Sequence, residues 1–232
     1  VWRFNGEATL DIGLDTPEVV GPDGARTDTF VNTMPGGKVL GYSARTDGGR
    51  EAWLHGPAGR GYSTQAIGLS GAGRTQTIVA HTPAGQVVGH ADHPDGGRQA
   101  WRYDGSVTTD IGMAGGSFET ATGLRSSTIQ FTNSRGDVAG VAQSYDETGA
   151  AGRVALWFND GLTTRQVSPL FDDPTFDGAR YSSLQLTDSG LLIGYRELFQ
   201  GRSVLYHNVF VWDSLAAPGQ EMTNILIGAL GR

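Results

Sequence analysis

Four residues hold the same place in four successive copies of a Gly-x-Val-x-Gly-like pattern: Tyr42, His90, Val141 and Tyr195 follow Gly41, Gly89, Gly140 and Gly194. Three of the four are rings with polar tips. Aromatic faces cover the apolar faces of sugars while polar tips bond hydroxyls, so Tyr42, His90 and Tyr195 are candidate ligand-binding residues. Strand alternation offers the competing reading, in which the same side chains pack between repeat units. His81, His90 and His93 fall within thirteen residues, with Asp92 and Asp95 beside them. Two histidines on neighbouring antiparallel strands could share a metal or divide general-base and general-acid work. The helical His-Glu-x-x-His spacing is missing, and His81 and His93 lie by turns, so solvated turn histidines are the stronger reading.

Some propeller-fold polysaccharide lyases use His, Tyr and Arg together on one face, to neutralise a uronate, take its C5 proton and protonate the leaving oxygen. His81, His90, Tyr195 and Arg196 could supply that set if the fold made them converge. No catalytic residue is fixed by spacing alone, and a non-enzymatic role is the stronger expectation. There is no serine elbow, phosphate loop or Asn-x-Ser/Thr acceptor. Asp172, Asp173 and Asp177 could hold Ca²⁺ through carboxylate oxygens, but they lack the alternating spacing and closing Glu of a calcium loop. No other cofactor is indicated.

Arg50, Arg98, Arg153 and Arg202 recur once per copy behind a glycine, and Asp11 and Asp110 recur before Ile-Gly pairs. A charge that recurs with the fold's own period reads as a structural bridge, the guanidinium fork holding a carboxylate or loop carbonyls.

The elements that must position these residues are visible in the stretch from Gln76 to Gly112. Gln76 to His81, Gln86 to Asp92, Gln99 to Tyr103 and Val107 to Gly112 alternate at period two between Pro-Ala-Gly, Pro-Asp-Gly-Gly and Asp-Gly turns. That is the pattern of a four-stranded antiparallel meander. Trp2, Trp53, Trp101, Trp157 and Trp212 repeat at intervals of 51, 48, 56 and 55 residues, a period that marks a propeller, solenoid or array. A mid-strand glycine weakens a strand unless something packs against it, and the tryptophan of the next strand is the candidate. Five tryptophan hairpins and four glycine hairpins make eighteen strands.

The expected architecture is all-β, a β-propeller of about 50-residue four-stranded repeats. It has about five blades with one incomplete, or is a segment of a larger propeller; a β-sandwich is the alternative. Residues 1–232 form one repeat domain, with a half unit at 1–13 and units at 27–69, 75–113, 126–170 and 181–228. Ala114 to Ser127 and Pro169 to Tyr181 interrupt the period and read as long surface loops.

Composition narrows the function classes. The 36 glycines accompany only 9 prolines and no triplet period, which excludes collagen-like and proline-rich disordered chains. A net charge of −7 disfavours nucleic acid and anionic bilayers. Without cysteine there is neither a disulfide framework nor a thiolate site. No apolar run is long enough for a transmembrane helix. The opening Val-Trp-Arg-Phe has no Met and no signal segment, and it reads as a piece trimmed from a longer precursor.

Two segments carry a resemblance. Thr132-Asn133-Ser134-Arg135-Gly136-Asp137-Val138-Ala139-Gly140 and Ala155-Leu156-Trp157-Phe158-Asn159-Asp160-Gly161 are similar to the unit of a bacterial extracellular family, the HAF repeats. The turn asparagine is kept only at Asn133, with Met34, Thr82 and Thr187 in the aligned places. The resemblance covers nearly the whole chain and implies an extracellular or surface-displayed bacterial protein of propeller type, and no reaction. The leading expectation is a binding or scaffold module that recognises a glycan or protein through one loop face. A polysaccharide lyase is one alternative. The other is a structural component whose edge strands pair with a second copy or with the rest of a longer chain.

Overall fold

A computed structural model describes residues 1–4, 6–167, 178–201, 203–216 and 222–229. The chain is all-β, with 55% strand and 3% helix arranged in several sheets, none of which closes on itself. It divides into two compact units, Val1–Asp110 and Ile111–Arg232.

The first unit opens with a two-stranded sheet, β1 (Trp2–Phe4) and β2 (Thr9–Asp11). A four-stranded meander follows: β3 (Asp28–Met34), β4 (Lys38–Ala44), β5 (Arg50–Ala58) and β6 (Gly61–Ile67). A second meander consists of β7 (Thr75–His81), β8 (Val87–Asp92), β9 (Arg98–Tyr103) and β10 (Thr108–Asp110). These four strands lie within two residues of the bounds that alternation sets. A single parallel pairing, Arg50 with Thr75, joins the two meanders.

The second unit repeats the plan. β11 (Ser127–Thr132), β12 (Val138–Tyr145), β13 (Ala151–Asn159) and β14 (Thr164–Val167) form one meander. β15 (Gly178–Leu186), β16 (Leu191–Gln200), β17 (Ser203–Asp213) and β18 (Met222–Ala229) form the other. Eighteen strands are thus present among the described residues. Of the two interruptions, the one before β11 contains a 3₁₀ turn at Gly116–Phe118. Most of the other lies outside the described residues, and β15 already begins at Gly178.

What organises each sheet is an indole laid across a glycine. Gly41 pairs with Trp53, Gly89 with Trp101 and Gly140 with Trp157. A Cβ at any of the three glycines would overlap the tryptophan ring and the carbonyl of Thr29, Thr77 or Thr128 on the strand behind. All three indoles are fully buried. Each removes about 200 Å² of apolar surface from water, worth on the order of 5 kcal/mol. Glycine is therefore required here by space rather than by φ.

The fourth copy departs from this pattern. Gly194 pairs with Phe210, and Phe210 in turn pairs with Asn224 of the Asn224-Ile225 remnant. The place of the repeat tryptophan is thus taken by Phe210. Trp212 sits two residues further on, opposite Leu192, with its ring 4.9 Å from Phe158. Trp2 differs in another way, being 70% exposed.

Buried polar side chains tie one repeat to the next. Gln76 Nε2 donates to the Leu69 carbonyl at 2.5 Å, and Ser127 Oγ accepts from Met113 N at 3.1 Å. Before the first meander, Ser43 Oγ accepts from Leu14 N at 3.3 Å and donates to Asp28 at 2.5 Å. The glycine of the Ile-Gly pair makes room: Gly68, at φ +101°, would drive a Cβ into the Gln76 amide at 2.6 Å. The turn residue also has a physical account. Asn133 Oδ1, Thr82 Oγ1 and Thr187 Oγ1 each accept the backbone N–H four residues on, so Asn and Thr do the same work. Met34 has no such oxygen, and a 3₁₀ turn at Pro35–Gly37 replaces the cap.

Apolar clusters join neighbouring meanders of a unit. Met34, Leu40, Leu54 and Ile67 meet Val87, Trp101 and Tyr103 in the first unit. Ala139, Leu156 and Phe158 meet Leu184, Leu192, Phe210 and Trp212 in the second. Ile12, Leu14 and Val19 pack on Trp53.

Candidate functional site

A half-open cleft of about 410 Å³ lies in the first unit, lined by Leu14, Thr16, Glu18, Arg45, Glu51, Ala66, Ser70, Gly71 and Ala72. One wall is the β4–β5 hairpin. Gly48 and Gly49 take positive φ in succession, and Arg45 N and O bond Gly49 O and Gly48 N at 3.3 Å, so the loop closes tightly. That places Arg45, just beyond β4, diagonally across from Glu51 on β5.

Arg45 Nη1 donates to Glu51 Oε1 at 2.5 Å, and Nε and Nη2 grip both oxygens of Asp47 at 2.7 Å. The segment before β3 forms a second wall, held when Thr46 N donates to the Glu18 carbonyl at 2.8 Å. Ser70, Gly71 and Ala72, just after β6, form a third.

The environment splits the two cleft carboxyls. Burial pushes Glu51 above the usual carboxylate range, against the opposing pull of Arg45. Glu18 moves the other way, lowered first by the Thr16 hydroxyl and then by its own backbone N–H. Asp47 falls to about 2, chiefly through its hydrogen bonds from Arg45, and the arginine is raised in turn. Two cleft carboxylates and one guanidinium present acceptors and donors at close quarters, with a negative balance.

The arrangement recurs. His93, Asp95 and Gln99 hold on the β8–β9 hairpin the places of Arg45, Asp47 and Glu51: His93 N bonds Gly97 O at 2.8 Å, His93 Nε2 lies 3.0 Å from Gln99 Oε1, and His93 Nδ1 lies 3.8 Å from Asp95. Here Gln99 stands in place of a carboxylate, and Arg74 Nη1 also donates to Gln99 Oε1, at 2.9 Å.

The residues singled out by sequence are distributed as follows. Tyr42 has its hydroxyl bonded by Ile78 N at 2.5 Å and its ring covered by Arg50 at 4.3 Å. His90 is buried, and burial followed by Arg98 lowers its pKa to about 4. Tyr195 joins its hydroxyl to His207 Nδ1, with ring centroids 5.4 Å apart. His81 faces Asn32 at 3.2 Å. His81 pairs with Val87 and His90 with Thr77, so the two histidines stand on opposite faces of the β7–β8 ladder, as strand alternation requires. Arg196 is 1% exposed and donates from Nε to Asn208 at 3.2 Å. Of the lyase set, His81 and His90 belong to the first unit and Tyr195 and Arg196 to the second.

Arg50 reaches the next meander, donating to Gln76 O at 2.6 Å and Thr77 Oγ1 at 3.1 Å, whereas Arg98 stays within its hairpin on Asp92 at 2.5 Å. Arg153 sits on β13. Asp11 receives Arg26 at 2.5 Å, and Asp110 pairs with Trp101. Arg202, Asp172, Asp173 and Asp177 lie outside the described residues. Among the described residues, no group of three His, Asp or Glu converges as a metal would require.

Sequence reasoning passed over Arg45, Asp47 and Glu51. The signal was available: Arg45-Thr-Asp-Gly-Gly-Arg-Glu-Ala-Trp53 and His93-Pro-Asp-Gly-Gly-Arg-Gln-Ala-Trp101 share their frame.

No protein-family model matches the chain, and no curated protein matches it in sequence. Among solved structures it is similar to an arginine-to-alanine triple mutant of AofleA from Arthrobotrys oligospora. The identity is 14% and the TM-score 0.36, and the match covers 98% of this chain and 64% of that one. The chain thus spans just under two thirds of the length of that structure's chain. Among the described residues no helix is long and apolar enough to cross a membrane.

Proposed function

We propose that the chain is a glycan-recognition module whose binding site is the cleft between Glu18 and the Arg45–Glu51 pair. The observation that carries this reading is the buried, charge-assisted pair fixed in the wall of an open cleft of about 410 Å³, within the volume range of small-ligand sites. Carboxylate oxygens accept sugar hydroxyls, and guanidinium N–H groups donate to sugar oxygens. The hairpin holds both in place before any ligand arrives. Thr16 and Ser70 add hydroxyls, and Leu14, Ala66 and Ala72 offer a small apolar floor.

The sign of the charge selects among glycans. Glu18 and Glu51 outnumber Arg45 at this site, so a uronate or another acidic sugar is repelled, and neutral or amino sugars are preferred. The four meanders with their recurring glycine–aromatic register support a propeller-type array, the architecture this reading adopts. The HAF resemblance supports display outside a bacterial cell.

The test is a glycan array followed by calorimetry on the strongest neutral and amino-sugar hits. Saturable binding that falls at least tenfold in Glu18→Gln, an exposed position whose change leaves the fold intact, is the expected result. Binding untouched by Glu18→Gln and Thr16→Ala, or confined to uronates, would sink the reading.

A further inference from the structure

We infer that β1 is the acceptor for a β-hairpin of the Gly-x-Val-x-Gly type carried by a separate partner protein, whose glycine seats on Trp2. The first step is register. Trp2 pairs with Asp11 as Trp101 pairs with Asp110 and Trp157 with Gln166, so β1 and β2 are the third and fourth strands of a meander. Among the described residues, β1 pairs with β2 alone, and the first and second strands have no counterpart.

The surface that β1 presents is specific. Trp2 is 70% exposed and Phe4 59%, whereas the three indoles that have their glycine strand are 0% exposed. Trp2 and Phe4 share one face of β1. Arg3, on the other face, lies 4.0 Å over the Tyr62 ring and fixes β1 to the first meander, so the apolar face is held outward. Ile12 N donates to Val1 O at 2.8 Å, and alternation along an antiparallel ladder then points the N–H and C=O of Trp2 and Phe4 away from β2. The edge therefore offers backbone bonding groups and an uncovered indole together.

The other copies state what covers such an indole. Each of Trp53, Trp101 and Trp157 has a neighbouring strand with glycine in register, and a Cβ there would overlap the ring. An arbitrary strand would pair with the β1 backbone but could not let Trp2 lie flat. A second folded copy of this chain cannot donate, because β4, β8, β12 and β16 are each paired on both edges. The occupant is thus a separate hairpin of the same chemistry, added by β-augmentation.

The probe is a synthetic peptide of residues 28–44, which carries Gly41 and forms the β3–β4 hairpin here. Titrated into the full chain, it is expected to shift tryptophan emission to the blue with saturation, because Trp2 is the exposed indole and Trp212 is only 3% exposed. The shift should vanish in Trp2→Phe, and a Gly41→Leu peptide should bind at least tenfold more weakly. A second arm fuses the same hairpin ahead of Val1 through a flexible linker, raising its effective concentration to the millimolar range. The fusion should slow amide exchange at Trp2 and Phe4, and Gly41→Leu in the fused hairpin should restore it. Equal binding of the glycine and leucine peptides, or unchanged exchange at Trp2 and Phe4 in the fusion, would overturn the inference.

Discussion

Arg45 and Glu51 meet at 2.5 Å across the root of the β4–β5 hairpin, and His93 and Gln99 meet at 3.0 Å in the same two places on β8–β9. One backbone frame therefore accepts either a carboxylate or an amide as the partner on the second strand. The difference lies in what each pair offers a ligand. The carboxylate version faces the cleft beside Glu18, while in the amide one Gln99 also receives Arg74. The frame belongs to the fold, and the charge belongs to the site.

Removing the cation from this frame should expose the burial of Glu51, whose side chain is 8% accessible. Arg45→Ala leaves a buried carboxylate unpaired and is expected to destabilise the chain by about 3 kcal/mol at pH 8. Burial already raises the Glu51 carboxyl, so the folded variant takes up a proton more readily than the unfolded chain. The folded-state pKa lies above the unfolded one, so the variant regains stability as pH falls toward 5. Adding Glu51→Gln, which mimics Gln99, should recover most of the loss at both pH values. Urea unfolding of the single and double variants checks both points.

The glycine–aromatic seats should not be equivalent. At Gly89 and Gly140 a new Cβ would meet the carbonyls of Thr77 and Thr128 as well as an indole, and backbone cannot move aside. Gly89→Ala and Gly140→Ala are expected to lose about 2–3 kcal/mol. At Gly194 the nearest groups are the side chains of Leu184 and Phe210, which can turn, so Gly194→Ala should lose about 1 kcal/mol. Denaturant melts of the three variants, with equal m-values, decide between these outcomes.

These seats were legible because sequence writes local rules plainly. Period-two alternation and turn glycines locate the meander of β7 to β10, and the Gly89–Trp101 pairing follows from spacing. Trp212 misled because aromatic identity is a weaker guide than register: the Asn224–Phe210 pairing, invisible in the sequence, fixes which ring takes the tryptophan place. The cleft was illegible for another reason. Its walls come from residues 14–18, 45–51 and 66–72, and no local pattern says that three such segments converge. Tyr42 and His90 drew notice by recurrence, which reports equivalent positions and not exposure.

Tyr42 ties the first two meanders through a backbone donor. Its hydroxyl accepts from Ile78 N at 2.5 Å beside the irregular register between Ile78 and Ala80. Tyr42→Phe keeps the ring under Arg50 and removes only the acceptor, leaving a half-buried N–H without a partner. A loss of about 1–2 kcal/mol is expected, with faster amide exchange at Ile78 as the local signature. Unchanged exchange there would show that the hydroxyl carries no such tie.

His90 should make the first unit sensitive to acid. It is 7% exposed, and burial, aided by the nearby Arg98 charge, lowers its pKa from 6.5 to about 4. Between those values the unfolded chain binds a proton that the folded chain refuses, so stability is complete above pH 6.5 and drains away as pH falls through 4. The difference amounts to about 3 kcal/mol if His90 acts alone. Carboxylates such as Asp47, also lowered, add their own loss nearer pH 2, and Glu51, raised by burial, acts in the opposite sense in parent and variant alike, so the difference between the two slopes isolates the histidine. His90→Gln removes the titrating ring and should flatten stability across that window, even if the variant is less stable at pH 7. The check is the slope of unfolding free energy against pH between 6 and 4.5, steep in the parent and shallow in His90→Gln; equal slopes would assign the acid response to other groups.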